Sequence, residues 1–159
     1  MDVLLYATEN PRNLGSIVRT SSCFGMDRIY LYDEFEILRE VEKIKETSCG
    51  HYRESFIVPI GDPFEFTKKY SHKVAATLSK GSKRLWDPKY KIEISEDSLL
   101  IFGGETRGIP RHLSRPHDVE KIFIPVKDMD HCFSLPIAYA LVVGEFFRRH
   151  PHRLSQRGK

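Results

Sequence analysis

Leu99-Leu100-Ile101-Phe102-Gly103-Gly104-Glu105-Thr106-Arg107-Gly108-Ile109-Pro110 is the stretch on which the fold turns. Its four leading apolar residues predict a buried strand. Gly103 and Gly104 follow at once; without a Cβ, they allow a sharp bend and a close approach by another molecule. Glu105 sets one carboxylate at the mouth of that bend. Gly108 permits a second bend, and Pro110 suits the first turn of a new helix. A strand that opens through glycines into a helix is where α/β proteins hold ligands. Ile109-Pro110 after Gly108 excludes the Lys-Ser/Thr ending of a P-loop, and the turn lacks the Gly-x-Gly-x-x-Gly of dinucleotide folds. Neither a kinase nor a nicotinamide enzyme fits.

The surrounding chain alternates strands with helices. Strands are predicted at residues 3–8, 28–32, 55–60, 73–78, 99–102 and 121–126. A helix is predicted at 14–24, with Asn13 as N-cap and Gly25 as its C-terminal stop. An acid-rich surface helix is expected over 34–46, and Asp62-Pro63 begins another. The polar residues 79–88 read as loop. This alternation predicts one parallel sheet covered on both faces. With 159 residues and neither linker nor repeat, the chain reads as a single domain. Residues 150–159 read as a flexible basic tail.

Composition narrows the classes of function. The chain carries 25 basic and 22 acidic residues, a net charge of +3, which is compatible with an RNA partner without demanding one. Cys23, Cys49 and Cys132 are scattered and odd in number, so neither a disulfide framework nor a metal site is expected. The pair His131-Cys132 is at most half of one. No apolar run is long enough to cross a membrane. Val3-Leu4-Leu5-Tyr6 follows Met1 without a basic run or cleavage site, so no signal peptide and a reduced, cytoplasmic compartment are expected.

The last long helix, over 134–147, is apolar on all sides, so it must be covered on all sides. One face is expected to meet the domain and the other a second copy, with Val142 on the dimer face. In the first helix, Leu14, Ile17, Val18 and Ser21 share one face, and Arg19 points away from it. There its fork of donors suits a phosphate or a hydroxyl.

Asn13-Leu14-Gly15-Ser16-Ile17-Val18-Arg19, with Phe24-Gly25 ending the helix, resembles the first motif of the SpoU/TrmH branch of the SPOUT RNA methyltransferases. Residues 102–110 resemble its second motif, Gly-x-Glu-x-x-Gly, and Ile124-Pro125 before the apolar helix resembles the third. In length the chain is most similar to the minimal, TrmL-like form that methylates the tRNA wobble nucleotide. Cys132, Ser134 and Pro136 depart from the third motif, standing where Ser, Asn and a hydroxyl residue are usual.

The resemblance implies a C-terminal trefoil knot, which ordinary topology rules would exclude. It implies a homodimer joined through the last helix, in which Arg19 reaches the partner's cofactor. It implies S-adenosylmethionine held by Thr77, Leu78 and Ser79, by Gly103, Gly104, Glu105 and Gly108, and by Ile124, Val126, Cys132, Phe133 and Leu135. It implies 2′-O-methylation of RNA, with tRNA favoured over rRNA. Arg19, Asn13, Glu105 and Ser134 are then the catalytic candidates, and Arg12, Arg19, Arg107, Arg148 and Arg149 the RNA-binding ones. The altered third motif leaves an alternative: a weakened or inactive relative that binds cofactor or RNA.

Overall fold

The structure, a computed structural model, describes residues 1–79, 81–89, 94–95, 97–128 and 132–154. The strands β1 (Asp2–Tyr6), β2 (Ile29–Tyr32), β3 (Ile57–Pro59), β4 (His72–Ala76), β5 (Lys83–Arg84), β6 (Ser98–Phe102) and β7 (Val119–Phe123) form one sheet in the order β3-β2-β1-β6-β4-β7-β5. Every neighbouring pair is parallel. β6 pairs with β1 on one side and β4 on the other, and all five of its residues are buried, as a continuous apolar run at a sheet centre must be.

Alternation along the strands splits the core into two layers. Val3, Leu5, Val74, Leu100, Phe102 and Ile122 face α1 (Pro11–Cys23), α2 (Val41–Ser48) and α5 (Leu135–Arg149). Leu4, Ala75, Leu99 and Ile101 face the other way and pack with Phe66 of α3 (Pro63–Thr67). The short α4 (Arg111–Ser114) lies beside α3 and β7.

The predicted helix at 14–24 begins earlier. Asn10 is the N-cap, its side chain accepting from the Arg12 N–H, and Pro11 opens the helix. Asn13 therefore sits in the first turn with its amide free for another task. The predicted face holds: Leu14, Ile17, Val18 and Ser21 are buried. Gly15 is where α1 meets α2, since a Cβ there would collide with Thr47 Oγ1 and the Ile44 carbonyl. The expected helix over 34–46 is a 3-10 turn (Ile37–Glu40) leading into α2. Pro110 is the N-cap of α4 rather than its first helical residue.

The expected loop over 79–88 contains β5, two exposed residues paired with β7. Nothing local specifies that strand; it exists because the β7 edge is available. His131 and residues 155–159, with most of the expected tail's end, lie outside the described residues. The tail's start forms a 3-10 turn at Pro151–Arg153.

Candidate active site

Three neighbouring strands, β6, β4 and β7, point their C-terminal ends at one cavity of about 470 Å³, well within the size of small-molecule sites. It is lined by three chain segments. Ala76, Thr77, Leu78 and Ser79 leave β4. Residues 102–109 leave β6. Residues 122–124 and 126 leave β7, and Cys132, Phe133, Leu135, Ala138 and Val142 close the wall from the start of α5. All twelve residues expected to hold a cofactor line this one cavity: Thr77, Leu78, Ser79, Gly103, Gly104, Glu105, Gly108, Ile124, Val126, Cys132, Phe133 and Leu135.

The glycine turn is fixed by its own backbone. The Gly108 N–H donates to the Gly104 carbonyl at 3.0 Å, and the two residues form an isolated bridge. A Cβ on Gly103 would strike the Gly108 carbonyl group and the Ile109 nitrogen; one on Gly104 would strike the Ala7 carbonyl oxygen. Gly103 is thus required by the turn itself, not only by an approaching ligand. Gly108 has φ +63° and nothing within 4 Å of its absent Cβ, so it supplies the left-handed bend.

A ring of hydrogen bonds ties this turn to the end of β1. Glu105 accepts from the Glu9 N–H and from Asn13 Nδ2, each at 2.8 Å. Glu9 in return accepts from the Thr106 N–H at 2.9 Å and the Thr106 hydroxyl at 2.7 Å. The Thr106 hydroxyl and then its N–H hold the Glu9 carboxyl below its ordinary value. Each Glu105 oxygen accepts one of these bonds, so the carboxylate ties donors of the β1 end and of α1 to the glycine turn. Glu9 and Thr106 were not foreseen; no local spacing announces a contact between chain positions so far apart. The same strand end carries Ala7 at φ +52° and the buried Thr8 hydroxyl, which has no partner among the described residues. Such stored cost gathers at functional sites.

The remaining candidates spread outward. Ser134 is the exposed N-cap of α5, makes no capping bond, and does not line the cavity. Pro136 falls in the first turn of α5, where its missing N–H costs nothing. Arg19 is exposed, donates to Cys49 Sγ at 3.2 Å, and is not among the residues that line the cavity of its own chain. Arg12 pairs with Glu46 at 2.8 Å, Arg107 with Glu34 at 3.0 Å, and Arg148 and Arg149 with Glu145 at 2.7 Å. The Arg12–Glu46 and Arg107–Glu34 pairs are solvated and contribute little, whereas Glu145 is buried beneath its two arginines.

Helix α5 is not symmetric in its burial. Tyr139, Val142, Val143, Phe146 and Phe147 are buried, and Val142 is fully so. The expectation that Val142 faces a second copy is therefore wrong: it belongs to the core and the cavity wall. Ile137 is 51% exposed, and Leu141 and Gly144 on the same side are half-buried.

A cavity at the C-terminal edge of a parallel sheet, floored by a glycine turn that is neither P-loop nor dinucleotide loop, defines an α/β ligand-binding domain of a separate class. The chain belongs to the SpoU rRNA Methylase family, whose profile matches residues 1–144. It is 25% identical over 152 residues to a tRNA (cytidine(34)-2′-O)-methyltransferase of Methylovorus glucosotrophus, covering 94% of this chain and 95% of that one. Among solved structures it is similar to the A. aeolicus TrmH/SpoU tRNA modifying enzyme, with TM-score 0.80, 21% identity, and 97% and 78% of the two chains covered. It is also similar to an AdoMet-bound rRNA methyltransferase from Sinorhizobium meliloti, with TM-score 0.76, 25% identity, and coverage of 92% and 55%.

Proposed function

We propose that this protein transfers a methyl group from S-adenosylmethionine to a ribose 2′-hydroxyl of RNA, with tRNA as the substrate class. The observation that carries this reading is the convergence of the three motif segments on one cavity. The relative acting on cytidine 34 of tRNA, matched over nearly its whole length, supports tRNA over rRNA.

The cavity suits the cofactor. Its walls from Ile122, Ile124, Leu135 and Val142 are apolar and match a nucleoside's faces, while the backbone-rich turn at 103–108 offers N–H and C=O groups to polar edges. When bound, the cofactor supplies an electrophilic methyl. The chain's own residues do the rest. Glu105 and Glu9 fix the turn and the β1 end in one geometry, which is how alignment is maintained. Asn13, held by Glu105, positions the start of α1 that carries Arg19. The Arg19 guanidinium stays charged, so it binds the phosphate beside the target ribose and polarises the hydroxyl rather than removing its proton. Ser134, between the lining residues Phe133 and Leu135, keeps a solvent-exposed hydroxyl without a capping bond.

Two finer features accompany this reading. The trefoil knot is supported by the order β6-β4-β7, which places an earlier strand between two later ones around the cavity. The dimer is supported by the open face of α5 at Ile137, Leu141 and Gly144 and by the absence of Arg19 from the lining of its own cavity. A second copy covering that face would bring Arg19 to the partner's site. The exposed thiols of Cys23, Cys49 and Cys132 suit a reducing cytoplasm.

Calorimetry tests the reading: S-adenosylmethionine saturates one site per chain and ATP does not. Mass mapping of RNA from cells lacking the gene then shows the loss of a specific 2′-O-methyl. Binding of ATP in preference would overturn the assignment.

A further inference from the structure

We infer that Phe35 and Arg107 form a stacking shelf for one unpaired nucleobase of the substrate RNA, beside the mouth of the methyl-transfer cavity. The inference rests on the RNA-methylation reading and adds a base subsite that the three motifs do not contain.

The two residues come from distant parts of the chain. Phe35 follows β2, and Arg107 follows β6; β1 lies between those strands, so both loops rise from the same edge of the sheet. Arg107 lines the cavity and its guanidinium lies over the Phe35 ring, 5.4 Å from the centroid. Glu34 pairs with the same guanidinium at 3.0 Å. One residue thus belongs to both the cavity rim and an exposed aromatic surface. Behind it, Tyr6 and Tyr32 are stacked with centroids 5.1 Å apart.

The loop that presents Phe35 is built to do so. Asp33 accepts from the Ile37 N–H at 2.8 Å and the Leu38 N–H at 3.1 Å, closing a tight turn. Glu36 sits at φ +55°, a left-handed conformation that side chains other than glycine rarely adopt. The result sends Ile37 into the core and leaves Phe35 40% exposed. The anchored turn leaves part of the phenyl ring open to solvent beside Arg107. A flat ring beneath a guanidinium is the arrangement that receives a nucleobase, through stacking and cation–π attraction. The ribose whose hydroxyl enters the cavity carries its base with it, so a base subsite at the rim is what the chemistry requires.

The probe is an unstructured hexaribonucleotide with one 2-aminopurine, titrated by fluorescence in the unmodified protein and in Phe35→Ala, Phe35→Leu and Phe35→Trp. We expect about tenfold weaker binding for Phe35→Ala and Phe35→Leu, retention in Phe35→Trp, and quenching of 2-aminopurine only where an aromatic ring is present. Calorimetric affinity for S-adenosylmethionine is unchanged in all three. Unaltered RNA affinity and quenching in Phe35→Ala overturn the shelf. So does a shift toward monomer in Phe35→Ala by sedimentation, which would assign the ring to a second copy. If the unmodified protein binds no S-adenosylmethionine while Phe35→Ala still loses RNA, the shelf stands and the methyl-transfer reading falls.

Discussion

The two ends of the sheet carry polar networks of similar make-up and opposite use. At the N-terminal end, His72 Nδ1 meets Ser98 Oγ at 2.7 Å, and His72 Nε2 lies 3.4 Å from Glu120. On paper this is a Ser-His-Glu triad. Ser98 is fully buried, however, and its oxygen also accepts from the Ser95 N–H at 2.8 Å. No substrate reaches it, and the trio cross-links β4, β6 and β7. At the C-terminal end, the Glu9, Asn13, Glu105 and Thr106 network surrounds an open cavity and leaves room for a ligand. Hydrogen-bond geometry alone does not make a site; access does.

Breaking each end should have different consequences. The largest effect is expected from Gly103→Ala at the cavity end. Its methyl collides with backbone that cannot yield, so we expect a loss of about 3 kcal/mol or more in denaturant unfolding, together with loss of cofactor binding. Wild-type stability with weakened binding alone would mean that the turn bends freely. At the closed end, Ser98→Ala leaves His72 and the Ser95 N–H short of a partner and should cost about 1–3 kcal/mol. Calorimetry should find its cofactor affinity intact; a fall in affinity would join two ends that the structure keeps apart.

Smaller effects sharpen the contrast. Gly108→Ala meets no atom but must hold φ +63°, so about 1–2 kcal/mol of stability is expected to go, without collapse of the turn. Thermal unfolding that matches Gly103→Ala would contradict this. The smallest change concerns Glu145, buried on α5 and held below its ordinary value of 4.5 by the hydrogen bond from Arg148 and then by that from Arg149. A depressed carboxyl stabilises the folded state above that ordinary value and stops doing so as pH falls through the lower, folded value. The melting temperature of the unmodified protein should therefore decline below pH 4.5, and that of Glu145→Gln should decline less. The difference is modest, because Arg148 is itself well exposed.

The sequence was informative where one segment determines its own structure. The apolar run ending in Gly103-Gly104 located the central strand and the cavity, because burial and backbone freedom are local properties. Reading failed where the partner lies elsewhere in the chain. Asn10 and Asn13 are equally good caps in isolation, and only the contact with Glu105 shows why Asn13 does something else. Gly15 reads only as a glycine inside a predicted helix until α2 is seen against it. An all-round apolar helix does not reveal which side faces its own sheet, which is why Val142 lies in the core and not on the expected dimer face. β5 had no hydrophobic signal, since an exposed edge pair needs none.

The most direct test of the account is methyl transfer itself. Unmodified protein is incubated with tRNA and S-adenosylmethionine labelled in the methyl group, and the RNA is digested to nucleosides. The account predicts label in a 2′-O-methylnucleoside, and none from Arg19→Ala although that variant binds the cofactor within a few fold of normal. Tight cofactor binding by the unmodified protein with no label in any RNA, or label on a base instead of a ribose, would contradict it.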